Sequence, residues 1–415
     1  MARQAASTLH LVILKKYGHG WADVVASLSG MKLKRDLHLA YCTNIHRGES
    51  WPETLAALET FTLAVRDRVC PGRPYAIGLR LSDLASRELS EPGALLEFQR
   101  WLERHQCYVF TINGFPFGRF HGQRVKEQVY FPDWTSPERV NYTNRLFDLL
   151  AQLVPTGVEG SVSTVPGSFK EPAMTETQLA RMRANIFSCV EHIARLSERT
   201  GRTLHLGLEP EPLCLLETTA ETVEFFGRLH GEHSGDGRVA EFLGVNYDTC
   251  HLAVEFEDPV EALGRLRSAG IKISKLHLSS ALKLRPTAEA LAAVGAFADD
   301  IYLHQVVARA SDGQLTRYQD LPPALANSKR TVEEWRIHFH IPLHSPPAPW
   351  FDNTTDHLLG VLDLLADDPG LCSHLEMETY TWEVMPAELK SRNVVEQLTL
   401  EYEWCLKQLR ARGLA

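Results

Sequence analysis

No CxxC pair occurs among the eight cysteines of this 415-residue chain. Cys42, Cys70, Cys107, Cys189, Cys214, Cys250, Cys372 and Cys405 lie mostly inside strand-like or helix-like runs. That placement excludes a disulfide frame and a cysteine zinc site, and indicates reduced, buried thiols. No apolar run reaches the length needed to span a bilayer. The run LHLVIL at 9–14 is short for a signal segment, and no small-residue cleavage site follows it. These absences point to a soluble, cytoplasmic protein without membrane insertion. Basic charge is also in deficit: Lys plus Arg is 43 against 52 for Asp plus Glu, a net charge of −9. Nucleic-acid binding rests on clustered positive charge, so it is not expected here. No GxGxxG or Walker-type phosphate loop follows a strand-like run, which removes the nucleotide fingerprints. No repeat, low-complexity tract or polar linker divides the chain.

What is present is a 44% hydrophobic composition, enough for a large core, and 18 histidines against six methionines. Strand-like runs recur at 38–46, 76–82, 107–115, 158–166, 203–212, 242–251, 271–280 and 374–382. Helical runs follow them near 51–69, 92–105, 136–152, 175–199, 218–230, 258–268 and 386–411. Ser50-Trp51-Pro52-Glu53 reads as a capping box with proline in the first turn. Eight strand-like runs alternating with helical ones predict a (β/α)8 TIM barrel, with a doubly wound open sheet as the alternative. Apolar Leu204, Leu206 and Leu208 alternate with His205, Gly207 and Glu209, and Leu375 and Met377 alternate with His374, Glu376 and Glu378. The apolar set faces the helices and the polar set faces the axis. Between strands seven and eight, 281–373 is too long for an ordinary loop. It carries a hairpin at 301–318 with an Asp312-Gly313 turn, and a histidine-rich strand at 336–344 holding His338, His340 and His344. The expected organisation is an N-terminal extension over 1–36, not necessarily from the native start, and a single barrel over 37–415 with an insertion at 281–373.

Four consecutive strand ends present metal-competent side chains: Glu209, Asp248, His277 and Glu376. Three carboxylates and one imidazole suit Mn²⁺, Zn²⁺, Co²⁺ or Mg²⁺. A single such residue is more often a solvated rim group, so the weight rests on the four together. Glu211 and Glu378 share strand parity with Glu209 and Glu376 and are alternate ligands. Candidates for substrate contact or a second metal are His46 and Asn44 after strand one, Arg80 on strand two, Asn113 on strand three, His251 three residues after Asp248, and His340 and His344 on the inserted strand. For each lone histidine the competing reading is a ring satisfied by backbone or carboxylate; for Arg80 it is a rim salt bridge. Trp51 and Trp382 either wall a pocket or pack. His105, His192 and His230 read as ordinary helix residues.

The order Glu, Asp, His, Glu on strands five to eight resembles the xylose-isomerase-like TIM-barrel superfamily, over roughly 37–412. Within it, HLAYCTNIHRGESW (38–51), LHLGLEPEP (204–212), NYDTCH (246–251), KLHLSS (275–280) and HLEMETYTW (374–382) are similar to EboE-type metabolite traffic proteins. The resemblance implies a divalent metal at Glu209, Asp248, His277 and Glu376, with Glu209 and Glu376 exchanging a substrate proton as base and acid. It prefers the first glutamate of each pair, because relatives place the ligand directly after the apolar stretch. It implies a small metabolite as partner, other proteins of a precursor-export system, and an oligomer. The endonuclease branch of the superfamily carries histidines at the ends of strands two and three; Arg80, Ser82 and Asn113 stand there instead, against DNA repair. Three functions follow: an isomerase or epimerase acting on a small hydroxy-carbonyl compound, a hydrolase with two or more ions, and a non-catalytic metabolite carrier.

Overall fold

A computed structural model describes residues 30–415, apart from 171, 328–331, 369 and 388–389. The expected extension falls largely on 1–29, outside the described residues. Met31 is buried and its amide bonds the Pro74 carbonyl, while the Lys34 amide bonds Leu414. Residues 31–36 are therefore tied to the barrel.

Thirteen strands are described: β1 (His38–Tyr41), β2 (Tyr75–Arg80), β3 (Cys107–Asn113), β4 (Gly160–Thr164), β5 (Leu204–Leu208), β6 (Leu243–Asp248), β7 (Lys272–Leu278), β8 (Ala281–Leu284), β9 (Val306–Ala310), β10 (Leu315–Tyr318), β11 (Val332–His340), β12 (Asp352–Asn353) and β13 (His374–Met377). Eight of them form one parallel sheet in the order β1-β13-β7-β6-β5-β4-β3-β2, and a parallel bridge from Cys42 to Gly78 joins its ends. This is the TIM barrel. Helices cover its outer face, and Leu39, Leu79, Ile112, Val162, Leu206, Val245, Leu276 and Leu375 are sealed beneath them. Each such buried aliphatic contributes roughly 1.5–3 kcal/mol.

Local signals set the helix starts. Ser50 and Glu53 form the capping box that opens Trp51–Ala57, and Thr175 with Gln178 does the same for Glu176–Thr200. Two of the longer helices differ from the sequence reading. Thr355–Asp367 lies inside the stretch between β7 and β13 and completes the barrel's outer ring before β13. The last helix begins at Val394, where Asn393 caps it, not near 386.

The stretch after β7 forms a second, antiparallel sheet in the order β10-β9-β11-β8-β12. Period-two alternation along β11 explains its seating. Trp335, Ile337 and Phe339 point into a separate core with Phe297, Val306 and Phe351. Arg336, His338 and His340 point the other way, where Arg336 bonds the Ala253 carbonyl and His340 bonds that of Glu378. Arg317 on β10 ties the sheet to the barrel through Glu217, at 2.9 Å, and Glu255.

A barrel axis is usually filled by branched aliphatics; this one is polar along its length. His38, His205, His374, Ser161 and Ser274 occupy the end from which the strands start. Thr111, Ser163, Lys275 and Glu376 follow, and Asn113, Glu209, Asp248, His277 and Glu378 crowd the other end, all buried. One extra residue in β7 lets both Ser274 and Lys275 face inward, because Ile273 pairs with Val245 while Lys275 pairs with the next residue, Asn246. A Cβ at Gly78 would lie 2.0 Å from Glu376 Oε1 and 2.7 Å from the Tyr41 carbonyl, so the glycine makes the room that Glu376 fills.

Candidate metal centre

Glu209, Asp248, His277 and Glu378 each offer one ligand atom, and the four atoms lie within 4.8 Å of one another. The fourth member of this group is the alternate Glu378 rather than Glu376. Both glutamates face the axis, but they stand at different heights. Glu376 pairs in register with His277 and sits beside its Nε2, at 2.7 Å. Glu378 lies one pleat further out and reaches Nδ1 at 3.2 Å. Nδ1 also meets Glu209 Oε1 at 2.9 Å and Asp248 Oδ2 at 3.4 Å. The imidazole thus has one nitrogen in the cluster and the other on Glu376.

Each member is held from behind. Asp248 caps the helix Thr249–Val254: its Oδ1 accepts from the amides of Cys250 and His251 and from the Ser279 hydroxyl. Its Oδ2 is buried with no hydrogen-bond partner, as is Glu209 Oε2. Glu378 Oε1 accepts from Asn44 at 2.8 Å and Asn113 at 3.1 Å. Glu376 is salt-bridged to Lys275, which also donates to Ser163. Burial opposes its charge, but Lys275 and His277 bring its carboxyl down to about 2.

Burial and the converging charges set the electrostatics of the cluster. Burial disfavours a charged His277, yet the Glu378 and Glu209 carboxylates raise its pKa well above the ordinary value. Burial likewise opposes the Asp248 carboxylate, while His251, His340 and His277 hold it well below the usual range. Three converging carboxylates, two with orphaned oxygens, are the donor set of a divalent cation, so the residues fit the metal the fold suggests.

A cavity of about 50 Å³, partly open to solvent, lies above the cluster. Glu209, Glu211, His251, Glu378, Asn44 and Asn113 line its floor, and Phe115, Phe120, Tyr130, Tyr302, His338 and Tyr380 its walls. Glu211 accepts from the Tyr130 hydroxyl at 2.7 Å, and burial lifts its carboxyl to about 7. His251 Nδ1 bonds the Pro210 carbonyl at 3.0 Å, and Nε2 is 3.8 Å from Asp248. His340 joins Asp248 and His251 in a second candidate ligand group.

Other sequence candidates are turned away. His46 bonds the Tyr41 hydroxyl and stacks on Phe61 at 4.7 Å, because the chain turns after β1. The Arg80 guanidinium donates to the Gly48 and Gly118 carbonyls and faces a different surface cleft. His344 lies beyond the end of β11, half-buried and outside the cavity lining. Trp51 packs on Phe98, and Lys390 lies over Trp382. Lys275 escaped the sequence reading because the β7 bulge shifts its parity. Lys126 and Tyr130 lie in the short 3-10 helix Lys126–Tyr130 and Tyr302 in the segment before β9, where no sequence period marks a pocket wall.

No family model matches the chain, and no curated protein matches it. Solved structures do. A xylose isomerase-like TIM barrel protein from Mycobacterium smegmatis, in complex with magnesium, aligns with a TM-score of 0.52 at 12% identity, over 91% of this chain and 98% of that one. A D-tagatose 3-epimerase-like protein aligns at 0.49 and 13% identity, over 90% and 98%. An IOLI protein with a bound zinc atom aligns at 0.47 and 12% identity, over 90% and 98%. The likeness to the Mycobacterium smegmatis protein establishes the shared barrel fold.

Proposed function

We propose that this protein is a metal-dependent isomerase or epimerase that moves a proton on a small hydroxy-carbonyl compound. One observation carries the proposal: Glu209, Asp248, His277 and Glu378 converge beneath a cavity, with buried oxygens on Glu209 and Asp248 left without partners. A divalent cation held by these four residues would polarise the substrate oxygens and lower the cost of the charge that develops at the reacting carbon.

The chain's own residues supply the rest. Glu209 and Glu378 are the two carboxylates of the group that also line the cavity. One takes the proton next to the carbonyl, and the other returns a proton to the substrate. Asn44 and Asn113 donate to the same oxygen of Glu378 and hold its plane. Glu376 is outside the cavity lining and locked to Lys275, so it does not exchange the substrate proton. It accepts from His277 Nε2–H, which keeps the Nδ1 lone pair directed at the cluster. Tyr302, Leu303 and His338, from the second sheet and the segment before it, line the cavity together with Tyr380.

On the motif likeness to EboE-type proteins, we place the substrate among secondary-metabolite precursors handled by a cytoplasmic export system. The test is proton exchange. Metal-loaded protein incubated in D₂O with a panel of small ketoses and hydroxy-ketones should introduce deuterium next to the carbonyl, read by NMR, and Glu209→Gln should abolish it. Absence of exchange across the panel with Mn²⁺, Mg²⁺, Zn²⁺ and Co²⁺ would overturn the reading. Metal-assisted hydrolysis is the second reading, favoured by the adjoining Asp248, His251 and His340 group. It requires ester or phosphoester cleavage that His340→Ala removes.

A further inference from the structure

We infer that the opposite end of the barrel holds a second metal site, of zinc type, built from His205, His374 and Glu159. These three offer ligand atoms within 4.8 Å of one another. They come from different strands: His205 from β5, His374 from the start of β13, and Glu159 from the residue before β4. They sit where the strands begin, whereas the cluster of Glu209 and Glu378 sits where they end.

The ring orientations carry the inference. Ser161 gives its hydroxyl proton to Thr111 Oγ1, at 2.8 Å. Towards His374 Nδ1, also 2.8 Å away, its oxygen accepts, so Nδ1 bears the hydrogen and Nε2 the lone pair. That Nε2 is buried and makes no hydrogen bond of good geometry, although the Glu159 main chain lies within hydrogen-bonding reach of the ring. His205 is held in the same way, with Nδ1 on the Ser274 hydroxyl at 2.6 Å and Nε2 facing the Glu159 carboxylate at 3.4 Å. The two rings stand 5.3 Å apart, centroid to centroid. Each imidazole is thus anchored through one nitrogen and presents the other to a shared point, as metal-binding histidines are.

The donor set differs from that at the cavity. Two imidazoles and one carboxylate suit zinc with a fourth, open position, where three carboxylates and one imidazole suit harder ions. Glu159 is half-exposed, with 49% of its side-chain surface open, so an ion reaches the site from solvent. Tetrahedral ligands about 2.0–2.1 Å from zinc lie nearly 3.4 Å apart, so the side chains close by about 1 Å on binding. The end of a TIM barrel where the strands start serves stability, and an ion here would clamp β4, β5 and β13.

The experiment is a zinc titration of the full-length, chelator-treated protein against a chromophoric competitor, with zinc per chain measured after dialysis. Three proteins are compared: the unaltered chain, Glu159→Gln and Glu378→Gln. Glu159→Gln should lose one tight zinc, with affinity falling on the order of 100-fold, while Glu378→Gln keeps it. Glu159 lies at the surface, so the variant folds; His374→Gln checks the same site from the buried side. Cobalt in the Glu378→Gln protein should give the visible absorption of a four-coordinate ion, lost on adding Glu159→Gln. Equal zinc binding by Glu159→Gln and the unaltered chain, or loss of all tight zinc in Glu378→Gln alone, overturns the inference.

Discussion

Glu376 and Glu378 stand two residues apart on one face of one strand, and exchanging each for glutamine should give opposite results. Without a cation, the Glu378 charge lies within 4.8 Å of the Glu209 and Asp248 ligand atoms. At an effective dielectric of 20, each such pair costs about 3 kcal/mol. The same charge gains about 5 kcal/mol from a protonated His277 at 3.2 Å. These terms nearly cancel, so Glu378→Gln should leave metal-free stability within about 2 kcal/mol of the unaltered protein. What it loses is the response to metal. A ligand at 100 times its Kd stabilises by about 2.7 kcal/mol. With an unfolding entropy of about 2.1 cal/mol/K per residue over 415 residues, that is a rise of about 3 °C in Tm. Glu376→Gln should do the reverse. It leaves Lys275 buried and unpaired, which costs about 3–5 kcal/mol, or about 3–6 °C, with or without metal. It keeps the metal response, weakened about 10–100-fold because His277 is less firmly oriented. Scanning calorimetry with and without Mn²⁺, an ion that prefers the oxygen-rich set, reads both effects. A Mn²⁺ response that survives Glu378→Gln and vanishes in Glu376→Gln would refute the ligand assignment.

Two further predictions concern stability. Arg317→Met should cost about 1–3 kcal/mol in urea unfolding, because it leaves the buried Glu255 without a cationic partner and Glu217 with Lys170 alone; no measurable loss would show that the second sheet is held by its apolar contacts. Glu401 is buried with only the Thr379 hydroxyl and the Leu343 amide as donors, and burial raises its carboxyl to about 7. Between the unfolded value of 4.5 and about 7 the folded state binds the extra proton, so stability falls as pH rises through that window, by roughly 3 kcal/mol in all. Glu401→Gln should flatten that fall, and an unchanged pH slope would show that other groups set it.

The barrel was legible because each unit repeats two periods, alternation in the strands and the 3.6-residue stripe in the helices, and both are local. Glu209, Asp248 and His277 were legible for the same reason, as polar breaks at the ends of apolar strands. The seating of β11 was half-legible: alternation separates its histidines from Trp335, Ile337 and Phe339, but not which histidine reaches the cluster. The Thr355–Asp367 helix was hidden inside a long stretch with no strand–helix rhythm to frame it.

Parity along a strand says which way a side chain points, and the amino-acid sequence determined that much for Glu376 and Glu378 alike. Depth along the axis is set by the register between neighbouring strands, and only the folded barrel decides it. Pairing Glu376 with His277 puts one glutamate on Lys275 and the other among the candidate ligands. The bulge in β7 is a property of two strands together and turns Lys275 inward. The turns after β1 and β2 carry His46 and Arg80 away from the cavity that their strand-end positions suggested. Side-chain type and facing are local chemistry; which polar groups meet, and which lone pairs remain free for an ion, depends on backbones brought together from distant parts of the chain.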